Sequence, residues 1–183
     1  MKQIIWSLLA KLLAIPAVAA WIIQRAGRTP YHHIMSADGS ETYMGRWWLF
    51  NPYDRNTHQA KHWWFPWSVR VHHIMRADQD RDLHDHPWNA RTVILDGWYI
   101  EQRLADDRLL TMVDAPPGAQ VTEFIRRNAG DTAALRHGEY HRIDQVAEGG
   151  VWTLFITSPW QGEWGFLVAG KKVHWRTYTG DQQ

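Results

Sequence analysis

Residues 4–23 are apolar except at Ser7 and Lys11. This stretch predicts a helix kinked near Pro16, because proline removes a backbone donor and clashes with the preceding turn. Ser7, Lys11 and Ala14 fall on one stripe of that helix. Ile5, Leu8, Leu12 and Ile22 or Ile23 form a broader apolar face, expected to lie on the domain, on a partner or on a membrane surface. Two other readings stay open. The uninterrupted run 12–23 has the length of a signal-peptide core, and Ala17-Val18-Ala19 fits an A-x-A cleavage site, although Trp21, Ile22 and Ile23 would then begin an unusually apolar mature chain. A membrane span over 4–23 would place Lys11 in the bilayer at a cost of roughly 2.5–3.5 kcal/mol near its centre.

Thr29-Pro30 marks a boundary, since proline disfavours helix in the residue before it. Beyond it come short runs rich in Val, Ile, Thr and aromatic residues: 31–35, 43–50, 68–75, 90–95, 98–103, 109–113, 122–126, 131–135, 140–146, 151–157, 164–168 and 173–178. Turn residues separate them, including Asp96-Gly97, Asp106-Asp107, Pro116-Pro117-Gly118, Asn128-Ala129-Gly130 and Glu148-Gly149-Gly150. Short strands at such even spacing predict an all-β sandwich or barrel. Residues 1–29 then form a helical segment and 30–183 a single β domain, with no helical periodicity after residue 30. The irregular segment 51–67, holding His58, His62, Trp63, Trp64 and Trp67, is expected to be a lid or a packed crossover. One heptapeptide echoes another: His32-His33-Ile34-Met35-Ser36-Ala37-Asp38 returns as His72-His73-Ile74-Met75-Arg76-Ala77-Asp78. These read as two similar strand-to-turn junctions, and only one histidine of each pair can face a given site, because neighbours on a strand point opposite ways.

Composition narrows the chemistry. The 20 Lys+Arg against 19 Asp+Glu leave a net charge of +1, so the field that draws in nucleic acid is missing. The chain has no cysteine, which removes disulfides, thiolate nucleophiles and Cys-type metal sites, and any metal must sit on His, Asp or Glu. Eleven His and 13 Trp suit a ring-lined pocket or an aromatic core. The sequence contains no G-x-S-x-G, P-loop or H-E-x-x-H string and no dinucleotide-binding glycine pattern.

The strongest local signal is Leu83-His84-Asp85-His86-Pro87-Trp88. On an extended strand, His84 and His86 project from the same face, as two ligands of one metal ion require. Downstream, Gly130-Asp131 leads through Arg136-His137-Gly138-Glu139-Tyr140 to His141, and a third imidazole from a neighbouring strand would complete a facial triad with open positions. With these residues the chain resembles the cupin superfamily, whose motifs read G-x5-H-x-H-x3,4-E-x6-G and G-x5-P-x-G-x2-H-x3-N. His84, His86 and Gly97 fall in register with the first motif (84–97), and Gly130, Gly138 and His141 with the second (130–145). The first motif's Glu becomes Ala90 and its leading Gly becomes Asp78, while the second motif's Pro becomes Arg136 and its Asn becomes Gln145. The string His84-Asp85-His86-Pro87-Trp88, then Leu95-x-Gly97-x-Tyr99-x-Glu101 and later Trp164-Gly165-Phe166, is also similar to small cupins of bacteria and their phages.

The resemblance implies a jelly-roll barrel (a double-stranded β-helix) over about residues 68–178, often a homodimer, with His84, His86 and His141 as ligands of a divalent metal. Without an acid at position 90, three neutral imidazoles leave the ion at a formal +2, which favours an anionic, chelating small molecule. That pattern is similar to three-His cupins such as thiol dioxygenases, so Fe(II) is the favoured cofactor, with Zn, Ni or Mn as alternatives. A non-catalytic cupin for a small ligand such as a carbohydrate, and a metal-independent sugar-epimerase-like enzyme, are the competing readings. Around the triad, Trp88 shares the parity of His84 and His86 and is a candidate cavity wall. Arg70 and Arg91 are candidates to clamp a carboxylate. Glu101 and Tyr99 share one strand face; if it is the interior face, Glu101 is a candidate fourth ligand or base and Tyr99 a proton donor. Asp85 points away and reads as a solvated or structural carboxylate. The expected location is cytoplasmic, unless residues 1–25 act as a signal or as a peripheral membrane anchor.

Overall fold

The computed structural model describes residues 2–36, 39–54, 56–105 and 120–180. The run 109–113, the turns at 106–107 and 116–118, and the end of the first heptapeptide (Ala37-Asp38) lie outside the described residues. The elements are α1 (Lys2–Leu13), α2 (Pro16–Ala26), β1 (Ile34–Met35), β2 (Thr42–Phe50), β3 (Ser68–Ile74), β4 (Ala90–Asp96), β5 (Trp98–Leu104), β6 (Thr122–Asn128), β7 (Thr132–Leu135), β8 (His141–Val146), β9 (Val151–Thr157), β10 (Gly165–Val168), β11 (Lys171–His174) and α3 (Trp175–Thr179). The final run therefore differs from the expectation of a strand over 173–178. His174 accepts a hydrogen bond from Arg176 N and caps a short helix, which Gly180 ends in the left-handed conformation.

The fold is all-β apart from these helices, and its strands pair antiparallel. One layer has the order β1-β2-β3-β9-β4-β7. The other is assembled from β6-β5-β8 and the β10-β11 hairpin, which His84 joins by bridging His141 on one side and Phe166 on the other. Between β4 and β5, Gly97 turns the chain at φ +79°, and a Cβ there would stand 2.7 Å from the Gly150 carbonyl oxygen. Only glycine fits that corner. The two echoed heptapeptides lie on either side of one strand: Ile34 of β1 and Ile74 of β3 both oppose Met44 of β2.

Alternation sorts the strands between two cores. Ile74, Ile94, Tyr99, Ile143 and Val151 pack between the layers. Val71, Val93, Leu95 and Leu154 face outward from the first layer and are covered by the N-terminal helices. Of the apolar helix face read from the sequence, only Ile22 and Ile23 pack on the domain. Ala10, Ala19, Ile22 and Ala26 are the buried positions, while Ile5, Leu8 and Leu12 are about 60% exposed. The physical reason is backbone approach: small residues at 10, 19 and 26 let the helices sit close to the sheet, and Ile22 supplies roughly 1.5–3 kcal/mol of buried side chain. The helix pair bends by 82° at Pro16, as the proline predicts, and no single helix among the described residues is long and apolar enough to cross a membrane.

The 51–67 crossover is organised by one side chain. Asn51 is 1% exposed and left-handed (φ 50°), a conformation Asn tolerates. Its amide nitrogen donates to the carbonyls of Phe65 (3.1 Å) and Trp67 (2.9 Å), and its oxygen accepts from His62 N (2.8 Å).

Candidate metal centre

His84 and His141 exchange both backbone hydrogen bonds, each N–H donating to the other's carbonyl at 2.9 Å. Residues directly opposed on antiparallel strands send their side chains to the same face. His86, two residues along from His84, shares that face. Three imidazoles therefore meet, with ring centroids 5.1–5.2 Å apart. One ring nitrogen from each lies within 4.8 Å of the others, and His86 Nε2 stands 3.0 Å from His141 Nε2. Two nitrogens bound at right angles, each about 2.1 Å from an ion, are about 3.0 Å apart. This is a candidate three-histidine metal centre.

Comparisons with known proteins reach only the chain path. No family model and no curated protein matches this sequence. Among solved structures, the oxalate decarboxylase of Lactobacillus farciminis in its formate complex is 12% identical over 76% of this chain and 33% of its own, with a TM-score of 0.46. An oxalate oxidase is 12% identical over 73% and 60%, with a TM-score of 0.46. The Fe(II) form of HppE is 12% identical over 69% and 55%, with a TM-score of 0.44. These proteins have the cupin fold, and this chain spans from a third to three fifths of their lengths.

Burial prepares the rings for ligation. It lowers the pKa of His84 to about 4 and that of His86 well below the usual imidazole value, so both are neutral at physiological pH. Among the described residues no acid joins the group. Ala90, at the position where the cupin motif carries Glu, pairs in β4 between Thr157 and Leu135 and offers no donor atom.

Glu101 and Tyr99 both face the interior, which decides the alternative the strand pattern left open. Glu101 is 1% exposed and does not act alone. Its Oε1 is held by Arg127 Nη2 at 2.7 Å and Arg103 Nε at 3.1 Å, while Oε2 lies 3.5 Å from His141 Nδ1. Burial pushes the carboxyl up, but His141, Arg103 and Arg127 outweigh it and hold its pKa at about 2. The carboxylate thus sits behind the His141 ring, where it favours the tautomer with Nδ1–H and leaves Nε2 free to ligate. Replacing Glu101 by Gln is expected to weaken metal affinity about tenfold, read by chelator competition, with the fold intact by circular dichroism. Tyr99 is buried beside Thr92 and Glu101, and burial followed by the Glu101 charge raises its pKa.

The triad opens into a cavity of about 1040 Å³. Trp88 lines it and lies against His86, with ring centroids 5.9 Å apart and planes 22° from parallel. Arg70 also lines it, 1% exposed, and is surrounded by the rings of Trp48, Tyr53, Trp88 and Phe155 at 5.0–5.5 Å. Its Nη1 donates to the Tyr53 hydroxyl at 3.1 Å, but Nε and Nη2 are buried without a partner. No ion pair forms to it among the described residues.

Arg91 is elsewhere, and its reading as a substrate clamp is corrected. Thr92 of β4 faces the cavity, so Arg91 faces the helices, where it donates to Thr132 Oγ1 and Gln3 Oε1 and stacks over Trp6 at 4.8 Å. Asp85 is wholly buried on the side away from the triad, accepting from Gly165 N at 2.7 Å and Lys172 Nζ at 2.6 Å, and so ties the ligand strand to the β10-β11 hairpin. His72 was singled out only as half of a pair. It faces the cavity from β3 with Nε2 unpartnered, and burial followed by Arg70 keeps its pKa well below normal. Its parity with Arg70 was the available signal. His73 points outward and stacks on Trp152 at 4.1 Å.

Proposed function

We propose that this chain is a metal-dependent cupin enzyme of the three-histidine, mononuclear non-haem iron type, acting on a small anionic molecule. The observation that carries this reading is one cavity holding both a convergent imidazole triad and a buried guanidinium with two unpartnered nitrogens. His84, His86 and His141 would hold Fe(II), which would supply redox chemistry and open positions for a substrate when bound. The ligand set leaves the ion a formal +2, and Arg70 adds a second cation, so the cavity favours a substrate with an anionic group at each end or one chelating head. Trp88, Tyr53 and Phe155 exclude water around that guanidinium, which strengthens its hold on an anion. Glu101 fixes the orientation of His141 and is a positioning residue in this reading. Tyr99, kept neutral by burial and the Glu101 charge, holds its proton tightly and would serve as a hydrogen-bond donor rather than as a base.

The test is oxygen uptake by anaerobically Fe(II)-loaded protein over a panel of thiols, catechols, 2-oxo acids and dicarboxylates. Stoichiometric uptake with one carboxylate-bearing class supports the enzyme. A ligand that binds tightly in calorimetry with no uptake, and no turnover with Mn, Ni or Zn, overturns it in favour of a binding module. The ring-lined walls make a carbohydrate the first ligand to try in that case.

A further inference from the structure

The outer face of the N-terminal helices is built in reverse for a helix facing water. On α1 the residues turned to the sheet are Trp6, Ala10 and Leu13, while Ile4 (65% exposed), Ile5, Leu8, Leu9 and Leu12 (59%) point away from it. At about 100° per residue these five fall within an arc of about 140°, and Lys2 and Lys11 stand just outside its two edges. Beyond the bend, Val18 and Trp21 (63% exposed) occupy the outward side of α2, with Arg25 one turn after Trp21. Both helices pack on the same layer, α1 on β4 and β7 and α2 on β2, β3 and β4, so both faces look away from that layer.

Water gives no reason for large aliphatic residues to lie outside and alanines inside, and an apolar surface this continuous marks a docking face. The charges decide the occupant. Lys2, Lys11, Arg25 and Arg28 are all exposed, the first acidic residue in the chain is Asp38, and none of the four cations enters an ion pair among the described residues. We propose that this face docks on the surface of a bilayer containing anionic lipids. Leu8, Leu9 and Leu12 enter the headgroup–acyl boundary, Trp21 sits at its level, and Lys2 and Lys11 reach the lipid phosphates. The docked helices stay on the sheet, because Ala10, Ala19 and Ala26 are already in contact with it and the helix pair is bent by 82°.

The test is flotation of the full chain with phosphatidylcholine vesicles, with and without phosphatidylglycerol. The protein is expected to float with the anionic vesicles and to be released by high salt, as roughly 1 kcal/mol per basic residue requires. The double variant Leu8→Glu/Leu12→Glu should lose about tenfold or more in partitioning, with unchanged circular dichroism and metal content. Both positions are exposed, so the fold is not at risk. Wild-type protein that stays down with both vesicles, or a double variant that floats as well as wild type, overturns the proposal. A wild-type dimer that the double variant converts to monomer, without flotation, assigns the face to a second copy. A native protein whose mass lacks residues 1–19 assigns the segment to a leader.

Discussion

His86→Ala protein is expected to retain no metal after anaerobic reconstitution, while wild type holds close to one equivalent by elemental analysis. The prediction follows from the backbone. His84 and His141 remain paired across the strands in the variant, so only the third nitrogen is lost, and two imidazoles hold an ion far more weakly than three. The same loss shows in thermal unfolding. An ion present at about 100 times its Kd stabilises wild type by about 2.7 kcal/mol. For a chain of this length that is a rise in Tm of roughly 5–10 °C. The His86→Ala Tm should not move with added metal. A variant that still binds one equivalent, or whose Tm rises as in wild type, would show that the triad is not the site.

Arg70→Leu is expected to lower affinity for an anionic ligand by about a hundredfold while leaving metal content unchanged. A hydrogen bond to a charged group contributes about 1.5–3 kcal/mol, and Nε and Nη2 are both without a partner in the protein. At about 1.4 kcal/mol per tenfold, two such bonds give that loss or more. The stability change should run the other way. Leucine relieves the protein of a buried charge with no counter-ion, so the unliganded variant should unfold at the wild-type temperature or above it. Calorimetry with a small carboxylate series, alongside thermal unfolding, separates the two effects. Unchanged carboxylate affinity, or a steep fall in Tm, would mean that Arg70 serves the aromatic cluster around it and not a ligand.

Much of this site was legible because strand geometry is simple. Period-two alternation places His84, His86 and Trp88 together on one face, and the structure keeps them there. His141 needed more than alternation, since its place opposite His84 is a matter of register between strands 57 positions apart in the chain; motif spacing stood in for that. Arg91 was misjudged because nothing local shows which side of β4 faces the cavity. That side is fixed by the helices, which claim Val93 and Leu95 and take Arg91 with them. Of the three places open to the apolar helix face, the domain takes Ile22 but not Ile5, Leu8 or Leu12, because an apolar-face argument rewards large residues, whereas close packing on a sheet here favours Ala10, Ala19 and Ala26. The 173–178 run departs in part. Val173 and His174 stay in β11, and the β-prone residues after them turn into a short helix that His174 caps.

The His84–His141 bridge has a consequence for how this centre can diversify. Spacing between the two imidazoles is inherited from a pair of reciprocal amide–carbonyl bonds, whose partners stand about 5.5 Å apart whatever side chains surround them. Cavity walls such as Trp88, Phe155 and His72 can therefore be exchanged for others of different size or polarity without re-spacing those two ligands. Recognition and ligation are drawn from separate parts of the architecture, one from replaceable rings and one from the peptide ladder itself.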